Sequence, residues 1–181
     1  MMRISPGRAV AWGVVAAGSV LGLAGCSPSL DWRQVRPEGS GLQAMFPCKP
    51  YSHARQVLLA GQATRMEIHS CSGGGWTFGI TFADIGDPGR VGPALEQLSQ
   101  AAAANVGASA SPQAPPQVQG MTPHPQARRI LVQGRRPDGS ALLQHAAFFS
   151  KGTRVYQASI VGAEPPPPEV LEGFFDGLAL P

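Results

Sequence analysis

The chain has 181 residues, and 43% of them are hydrophobic, which is enough to bury a single core. Its formal charge of +3 depends in part on Arg3 and Arg8, because the 14 basic residues fall to 12 beyond residue 25, against 11 acidic ones. A nearly neutral chain without a dense basic stripe lacks the charge that nucleic-acid affinity requires, so we exclude nucleic acid as a partner.

The first 26 residues have the pattern of an export signal. Arg3 and Arg8 precede an uncharged run over residues 9–23, which is too short to span a bilayer comfortably and favours a cleavable signal peptide. Leu23-Ala24-Gly25-Cys26 follows and resembles the lipobox of bacterial lipoproteins. The resemblance implies that residues 1–25 are removed and that the Cys26 thiol carries diacylglycerol, facing the periplasm. Ser27, where an Asp would mark inner-membrane retention in lipoproteins of enteric type, favours the outer membrane.

Removal of residues 1–25 would leave 156 of the 181 residues, the length of one ordinary domain. We expect residues 26–31 to be a tether and residues 32–181 to be a single domain. Two of the three cysteines, Cys48 and Cys71, remain besides the lipidated one. In an oxidising periplasm such a pair is more often bridged than free.

Apolar and polar residues alternate over several segments of the first half, which predicts strands with one buried face. The predicted strands cover residues 32–35, 42–46, 56–60, 63–71 and 76–82. The glycines at 73–75 predict a tight hairpin turn before the last of these. On that last strand Trp76, Phe78, Ile80 and Phe82 share one side, and we expect them to enter the core.

The apolar period changes after Asp87-Pro88, an acceptable cap and first-turn pair, and predicts a helix over residues 88–105. A stretch near residues 107–125, rich in Pro and Gln, has no apolar period, and we expect a loop or partly disordered excursion there. The elements predicted after it are strands over residues 127–133, 141–149 and 154–161 and a short helix over residues 169–178. Short turns between the strands make them antiparallel neighbours.

These elements predict an α+β fold with an antiparallel sheet of six to eight strands, one long middle helix and a short C-terminal helix. The run Gly41-Leu42-Gln43-Ala44-Met45-Phe46-Pro47, followed by Lys49-Pro50, together with the order of elements, resembles the PsbP-like fold. Members of that fold mostly act as accessory or binding proteins. The resemblance therefore implies an accessory or binding role.

Cys48 and Cys71 arrive at the same end of the predicted sheet, which favours a disulfide. A simple meander would leave their strands about 9.6 Å apart, beyond the reach of a disulfide. Either the two strands are direct neighbours, or residues 47–50 curl inward. The alternative is a metal site formed by His69, Cys71 and Cys48, but it lacks a clear fourth ligand, so we predict a disulfide and no bound metal or other cofactor.

The remaining polar residues favour structural roles. His53 and His124 fall in predicted loops, and no histidine has a Ser or Cys partner in a recognised catalytic arrangement. Asp84, Asp87 and Asp138 lie at strand ends or turns, where short acids cap the chain. One possible anion-binding rim brackets a late strand. It consists of Arg128, Arg129, Arg135 and Arg136. The alternative interpretation is that these residues are only the solvated face and flanks of that strand.

Two classes of function follow from the sequence. The first is a lipid-anchored, non-catalytic accessory protein of the cell envelope that binds an envelope protein, an envelope polymer or a small ligand. The second is an envelope enzyme, a hydrolase or a redox or metal protein, whose site the sequence does not reveal. The glycines at 73–75 lack the Gly-Lys-Ser/Thr ending of a phosphate loop, and no Gly-x-Ser-x-Gly elbow occurs, so the first class is favoured.

Overall fold

The computed structural model describes Met1, residues 30–104 and residues 109–181. Within these ranges the chain forms a seven-stranded antiparallel sheet, a separate two-stranded sheet and two α-helices. The predicted antiparallel sheet and the two helices are confirmed, in a molecule that is mostly sheet. The signal segment and the predicted lipidation residue, Cys26, lie outside the described residues. Neither helix of the described ranges has the length and hydropathy needed to cross a bilayer.

The strands alternate with short turns, and the middle helix separates them into two groups. In chain order the elements are β1 (Arg33–Val35), β2 (Ala44–Phe46), β3 (Tyr51–Leu59), β4 (Gln62–Gly73), β5 (Trp76–Asp84), α1 (Val91–Ala104), β6 (Ser109–Gln113), β7 (Arg128–Arg135), β8 (Ala141–Lys151), β9 (Arg154–Gly162) and α2 (Pro168–Phe175). The large sheet has the order β3-β4-β5-β9-β8-β7-β6. The two groups of strands therefore join through the β5–β9 pair.

The centre of the sheet follows the predicted alternation. Phe78 and Ile80 are fully buried and Phe82 is nearly so, while the residues between them are small. The turn before β5 is made by Gly74 and Gly75, which have φ values of +62° and +91° that favour glycine. This hairpin was predicted from the glycine run and is confirmed.

One face of the sheet, here called the α1 face, is covered by α1. A single 3₁₀ turn over Pro88–Arg90 precedes the helix, and the Asp87 side chain caps this turn by accepting a hydrogen bond from the Gly89 amide at 2.8 Å. The helix buries Val91, Leu95 and Leu98 at helical spacing against β7, β8 and β9. The predicted middle helix is thus present, with a 3₁₀ start.

The opposite face, here called the α2 face, is covered by α2 and by the β1–β2 pair. Residues 42–46 were expected to belong to the main sheet, but β2 pairs only with β1, with Arg33 opposite Phe46. Alternation predicts a strand but carries no information on its partner, which explains the difference. Phe46 of β2 packs edge-on against Phe174 of α2, at 5.8 Å between ring centroids, so the two layers meet over the sheet.

The segment predicted as a loop near residues 107–125 contains an edge strand, and that part of the prediction is wrong. Ser109–Gln113 pairs with β7, although the sequence Ser-Ala-Ser-Pro-Gln has no apolar period. Backbone hydrogen bonding to a preformed neighbour requires no particular side chains, and proline is tolerated in an edge strand. The residues from 114 to 125 are largely irregular, as expected.

The C-terminal residues bridge the β2 region and the irregular segment. Ala179 exchanges backbone hydrogen bonds with Gln43, and the Leu180 amide donates to the Gln119 carbonyl at 2.8 Å. Gly120 has φ +77°, and a Cβ there would clash with the Leu180 carbonyl oxygen. The chain end is therefore packed tightly into the α2 face.

Candidate functional site

The predicted disulfide between Cys48 and Cys71 is confirmed, with their Cα atoms 5.9 Å apart. The strands are not direct neighbours, because β2 lies outside the large sheet. Instead the connection over residues 47–50 curls onto β4, where the following residue Tyr51 pairs with Ser70. Both sulfurs are consumed by the disulfide, so neither is available as a thiolate ligand beside His69.

The four arginines proposed as an anion rim do not lie together, and the prediction of a single rim is wrong. Arg128 and Arg129 are consecutive strand residues and point to opposite sheet faces. The guanidinium of Arg128 donates to Gln126 on the α1 face. Arg135 and Arg136 instead donate to backbone carbonyls of the β7–β8 turn. Only Arg129 faces a cleft on the α2 face.

The cleft beside Arg129, here called the Arg129 cleft, has a volume of about 310 Å³, at the small end of ligand sites. Its floor is the sheet, where Ala147 stands opposite Arg129 on the neighbouring strand and leaves room because its side chain is short. One wall is the irregular segment over residues 114–118, which includes two prolines, and the other is formed by Phe175, Asp176 and Leu178 at the end of α2. The cleft therefore combines apolar side chains with one cation at its base, one carboxylate and the Gln117 amide, and its surface is about as polar as it is apolar.

The Arg129 guanidinium lies over the Phe175 ring, with its carbon 4.0 Å from the ring centroid. Half-burial lowers the pKa of Arg129, and the negative charge of Asp176 opposes this shift. Arginine stays protonated in proteins all the same. Four ion pairs occur in residues 30–104 and 109–181, and none of them includes Arg129. Its N–H donors are thus available to an anion that enters the cleft.

Asp84, Asp87 and Asp138 have the structural roles that the sequence indicated. The Thr153 hydroxyl donates to Asp84 at 2.7 Å and lowers the pKa of that carboxyl. The Ser140 hydroxyl donates to Asp138 in the β7–β8 turn and lowers its pKa in the same way. Asp87 caps the 3₁₀ turn before α1. Each aspartate holds a local turn or strand end in place.

The histidines are spread over different elements. His53 lies in β3, and the prediction of a loop there is wrong because that strand begins five residues earlier than expected. His124 accepts a hydrogen bond from the Gln126 amide in an irregular segment. His69 and His145 lie on the α2 face of β4 and β8, and burial lowers the pKa of both. The positive charge of Arg129 also lowers the pKa of His145, which lies diagonally across the β7–β8 pair.

Sequence reasoning identified Arg129 but missed the walls of its cleft. Phe175 was expected only in the core, and residues 114–118 were treated as a loop without a role. The signal available in the sequence was the alternation of β7, because Ile130 and Val132 mark the α1 face and so place Arg129 on the other side. No family model matches the chain, and no curated protein matches its sequence.

Proposed function

We propose that this chain is a lipid-anchored, non-catalytic binding protein of the cell envelope, and that the Arg129 cleft holds an anionic ligand with an apolar body. The observation that carries the proposal is the half-buried Arg129 guanidinium, which makes no ion pair among the described residues and lies in a cleft that also offers apolar side chains, with Asp176 at its rim. A partly desolvated cation attracts an anion more strongly than an exposed one. The planar fork of donors suits a carboxylate or a phosphate.

The apolar walls define the remainder of the ligand. Pro115, Pro116 and Leu178 line the cleft and offer contact to an aliphatic or aromatic body. Asp176 lies at the rim and would repel a second negative charge on the ligand near it. These features favour a ligand with one acidic head and an apolar body.

Calorimetric titration of the mature protein with octanoate, octyl phosphate and the uncharged octanamide tests the binding site. We expect Arg129→Gln to weaken octanoate binding by about 10- to 100-fold, because a hydrogen bond to a charged group contributes about 1.5–3 kcal/mol. Arg128→Gln is the matched control, since the neighbouring side chain lies on the other sheet face. Equal losses in the two variants, or equal affinity for octanoate and octanamide, would contradict the proposal. Tighter binding of octyl phosphate would identify the phosphate head as the preferred one.

The proposed attachment depends on Cys26, which is supported by the resemblance of residues 23–26 to a lipobox. We expect Cys26→Ala to yield an unlipidated precursor that is not processed. The measurement is mass spectrometry of the protein with detergent-phase partitioning. Normal processing and partitioning of the variant would contradict lipid anchoring, and fractionation of the two membranes tests the proposed outer-membrane location.

We also propose that the fold is an α+β fold of the PsbP-like type. One helix on each face of a central antiparallel sheet supports the α+β description. The resemblance of residues 41–50 to the PsbP-like pattern supports an accessory role. A ligand-binding module without catalysis is compatible with such a role.

A further inference from the structure

The described part of the mature chain begins at one end of the large sheet. Leu30 packs beside the β4–β5 turn, and its Cδ2 atom would lie 3.0 Å from a Cβ placed on Gly74. The Asp31 amide donates to the Pro47 carbonyl at 2.9 Å in the neighbouring connection. We call this end of the sheet the anchor end. It is formed by the connections over residues 47–50, 74–75, 136–140 and 163–167.

The short distance in sequence between Cys26 and Leu30 limits where a lipid on Cys26 can lie. Four residues span at most about 14 Å when fully extended. The twelve residues of β4 extend for about 40 Å along the sheet. A bilayer that holds Cys26 therefore lies within about 14 Å of Leu30 at the anchor end, and the opposite end can touch it only when the sheet lies flat on the surface.

The side chains at the anchor end suit a lipid surface. Tyr51 is 81% exposed, one of the few large hydrophobic residues exposed within the described chain. Tyrosine has an apolar ring and a polar tip, and it is enriched where a membrane meets water. Lys49 and Arg135 are also exposed at this end and can approach lipid phosphates.

The acidic residues of the anchor end do not outweigh these cations. Glu164 and Asp138 are exposed there, and Asp138 is held within its turn by Ser140. Asp31 is exposed at the same end, and its charge is balanced by its ion pair with Arg33. Arg136 adds a third cation to the same turn. The charge of this end is thus slightly positive, which favours contact with anionic headgroups.

We infer that the anchor end rests on the membrane surface, with Tyr51 in the headgroup region and Lys49 and Arg135 near lipid phosphates. This inference rests on the proposed lipid anchoring at Cys26. The Arg129 cleft lies at the level of Tyr51 along the sheet, because the pairing of successive strands aligns Arg129 with Ser52.

The test compares two exposed positions on the same edge strand. Tyr51 and Leu58 of β3 are 81% and 68% exposed, and seven residues, or about 24 Å, separate them. Tyr51→Trp and Leu58→Trp each add one indole to the lipidated mature protein. Both variants are reconstituted into vesicles of phosphatidylethanolamine and phosphatidylglycerol that contain a brominated phosphatidylcholine, and near-UV circular dichroism checks their folding.

We expect the added emission of Tyr51→Trp to be lost in brominated vesicles and that of Leu58→Trp to be retained. Equal quenching of the two variants, or no quenching of either in protein that floats with the vesicles, would overturn the orientation and leave lipid anchoring intact. Absence of the lipid from Cys26 by mass spectrometry, with failure to float, would overturn lipid anchoring and the orientation together.

Discussion

The two faces of the large sheet are covered in different ways. On the α1 face one continuous helix supplies aliphatic and small residues, and the buried cluster there contains a single aromatic residue, Phe148. The α2 face is covered by three separate pieces, namely the β1–β2 pair, the short helix α2 and the C-terminal residues. Its cluster contains seven aromatic residues, Phe46, Phe78, Phe82, Phe149, Tyr156, Phe174 and Phe175.

The difference shows how a cover made of short pieces is held in place. A helix of eight residues and a two-stranded sheet are each marginal in water, so neither is stable without its packing. Large rings offer the greatest buried area per residue, and the disulfide ties the connection after β2 to β4. The α2 face therefore depends on tertiary contacts more strongly than the α1 face does.

The largest expected effect is the loss of an aromatic ring from the α2 face. Phe174 is fully buried and packs edge-on against Phe46, Phe78 and Phe175. We expect Phe174→Ala to lower the free energy of unfolding by about 3–5 kcal/mol, because it removes apolar contacts and leaves a cavity. Urea unfolding measures the loss. Glu172→Ala, exposed on the same helix, is the control and should change stability by less than about 0.5 kcal/mol.

Removal of the disulfide has the next largest expected effect. The double variant Cys48→Ser, Cys71→Ser frees a loop that spans 23 residues in sequence, and we expect a loss of about 3 kcal/mol. Hydrogen exchange should show faster exchange in β1 and β2 than in α1, since only the α2 face loses its covalent tie. Reduction of the unsubstituted protein should give the same pattern. Equally faster hydrogen exchange on both faces would contradict the stronger dependence of the α2 face on tertiary contacts.

The tightly packed chain end allows a steric effect to be separated from a conformational one. Gly120 and Gly139 have φ values of +77° and +82°, but only Gly120 has an atom in the way of a Cβ. Gly139→Ala should cost about 1–2 kcal/mol from the left-handed backbone alone. We expect Gly120→Ala to cost more, because the Leu180 carbonyl must move. Equal unfolding midpoints for the two variants would mean that the C-terminal residues contribute little to the α2 face.

A smaller effect of opposite sign is expected at the β3–β4 turn. Ala60 has φ +48° and is followed by Gly61 at +79°, a two-residue turn in which Asn-Gly is the favoured pair. Ala60→Asn should raise the free energy of unfolding by about 0.5–1 kcal/mol by relieving the left-handed alanine. Ala60→Val should lower it, since a branched residue tolerates this backbone poorly. Thermal unfolding of the pair shows whether the two changes have opposite signs.

The smallest expected effect concerns pH and the α2 face. Burial lowers the pKa of His69 and His145 in the folded state, so the folded protein favours neutral imidazole. The unfolded pKa is about 6.5, and stability is therefore complete above this pH and declines as the pH falls below it. Urea midpoints at pH 7.5 and 5.5 measure the decline. The double variant His69→Gln, His145→Gln should lose less stability between these two pH values. An equal loss in the variant would mean that other groups cause the pH dependence.

The sequence predicted where strands and helices lie better than it predicted which strands pair with each other. Alternation identified the central strands, and the spacing of Leu95 and Leu98 identified α1, because burial on one side leaves a period in the sequence. The separate pairing of β1 with β2 and the edge strand Ser109–Gln113 were missed. Both depend on backbone hydrogen bonds between distant segments, which leave little trace in side-chain order.

The candidate site was predicted only in part for a related reason. Arg129 was grouped with three arginines near it in sequence, whereas its neighbours in space come from α2 and residues 114–118. The pairing of Cys48 with Cys71 was predicted correctly, because compartment and cysteine number limit the choices. No comparable limit in the sequence indicates which helix residue will lie over an arginine.

The pairing of β5 with β9 has a consequence for folding during synthesis. Trp76 stands opposite Gly162 on the neighbouring strand, so the middle of the sheet cannot close until nearly the whole chain has been made. A chain synthesised only as far as β8 has two separate meanders, β3–β4–β5 and β6–β7–β8, with one edge of β5 and one edge of β8 open. We expect such a chain to remain loosely structured. Addition of β9 between the two open edges would then complete the sheet in one cooperative step.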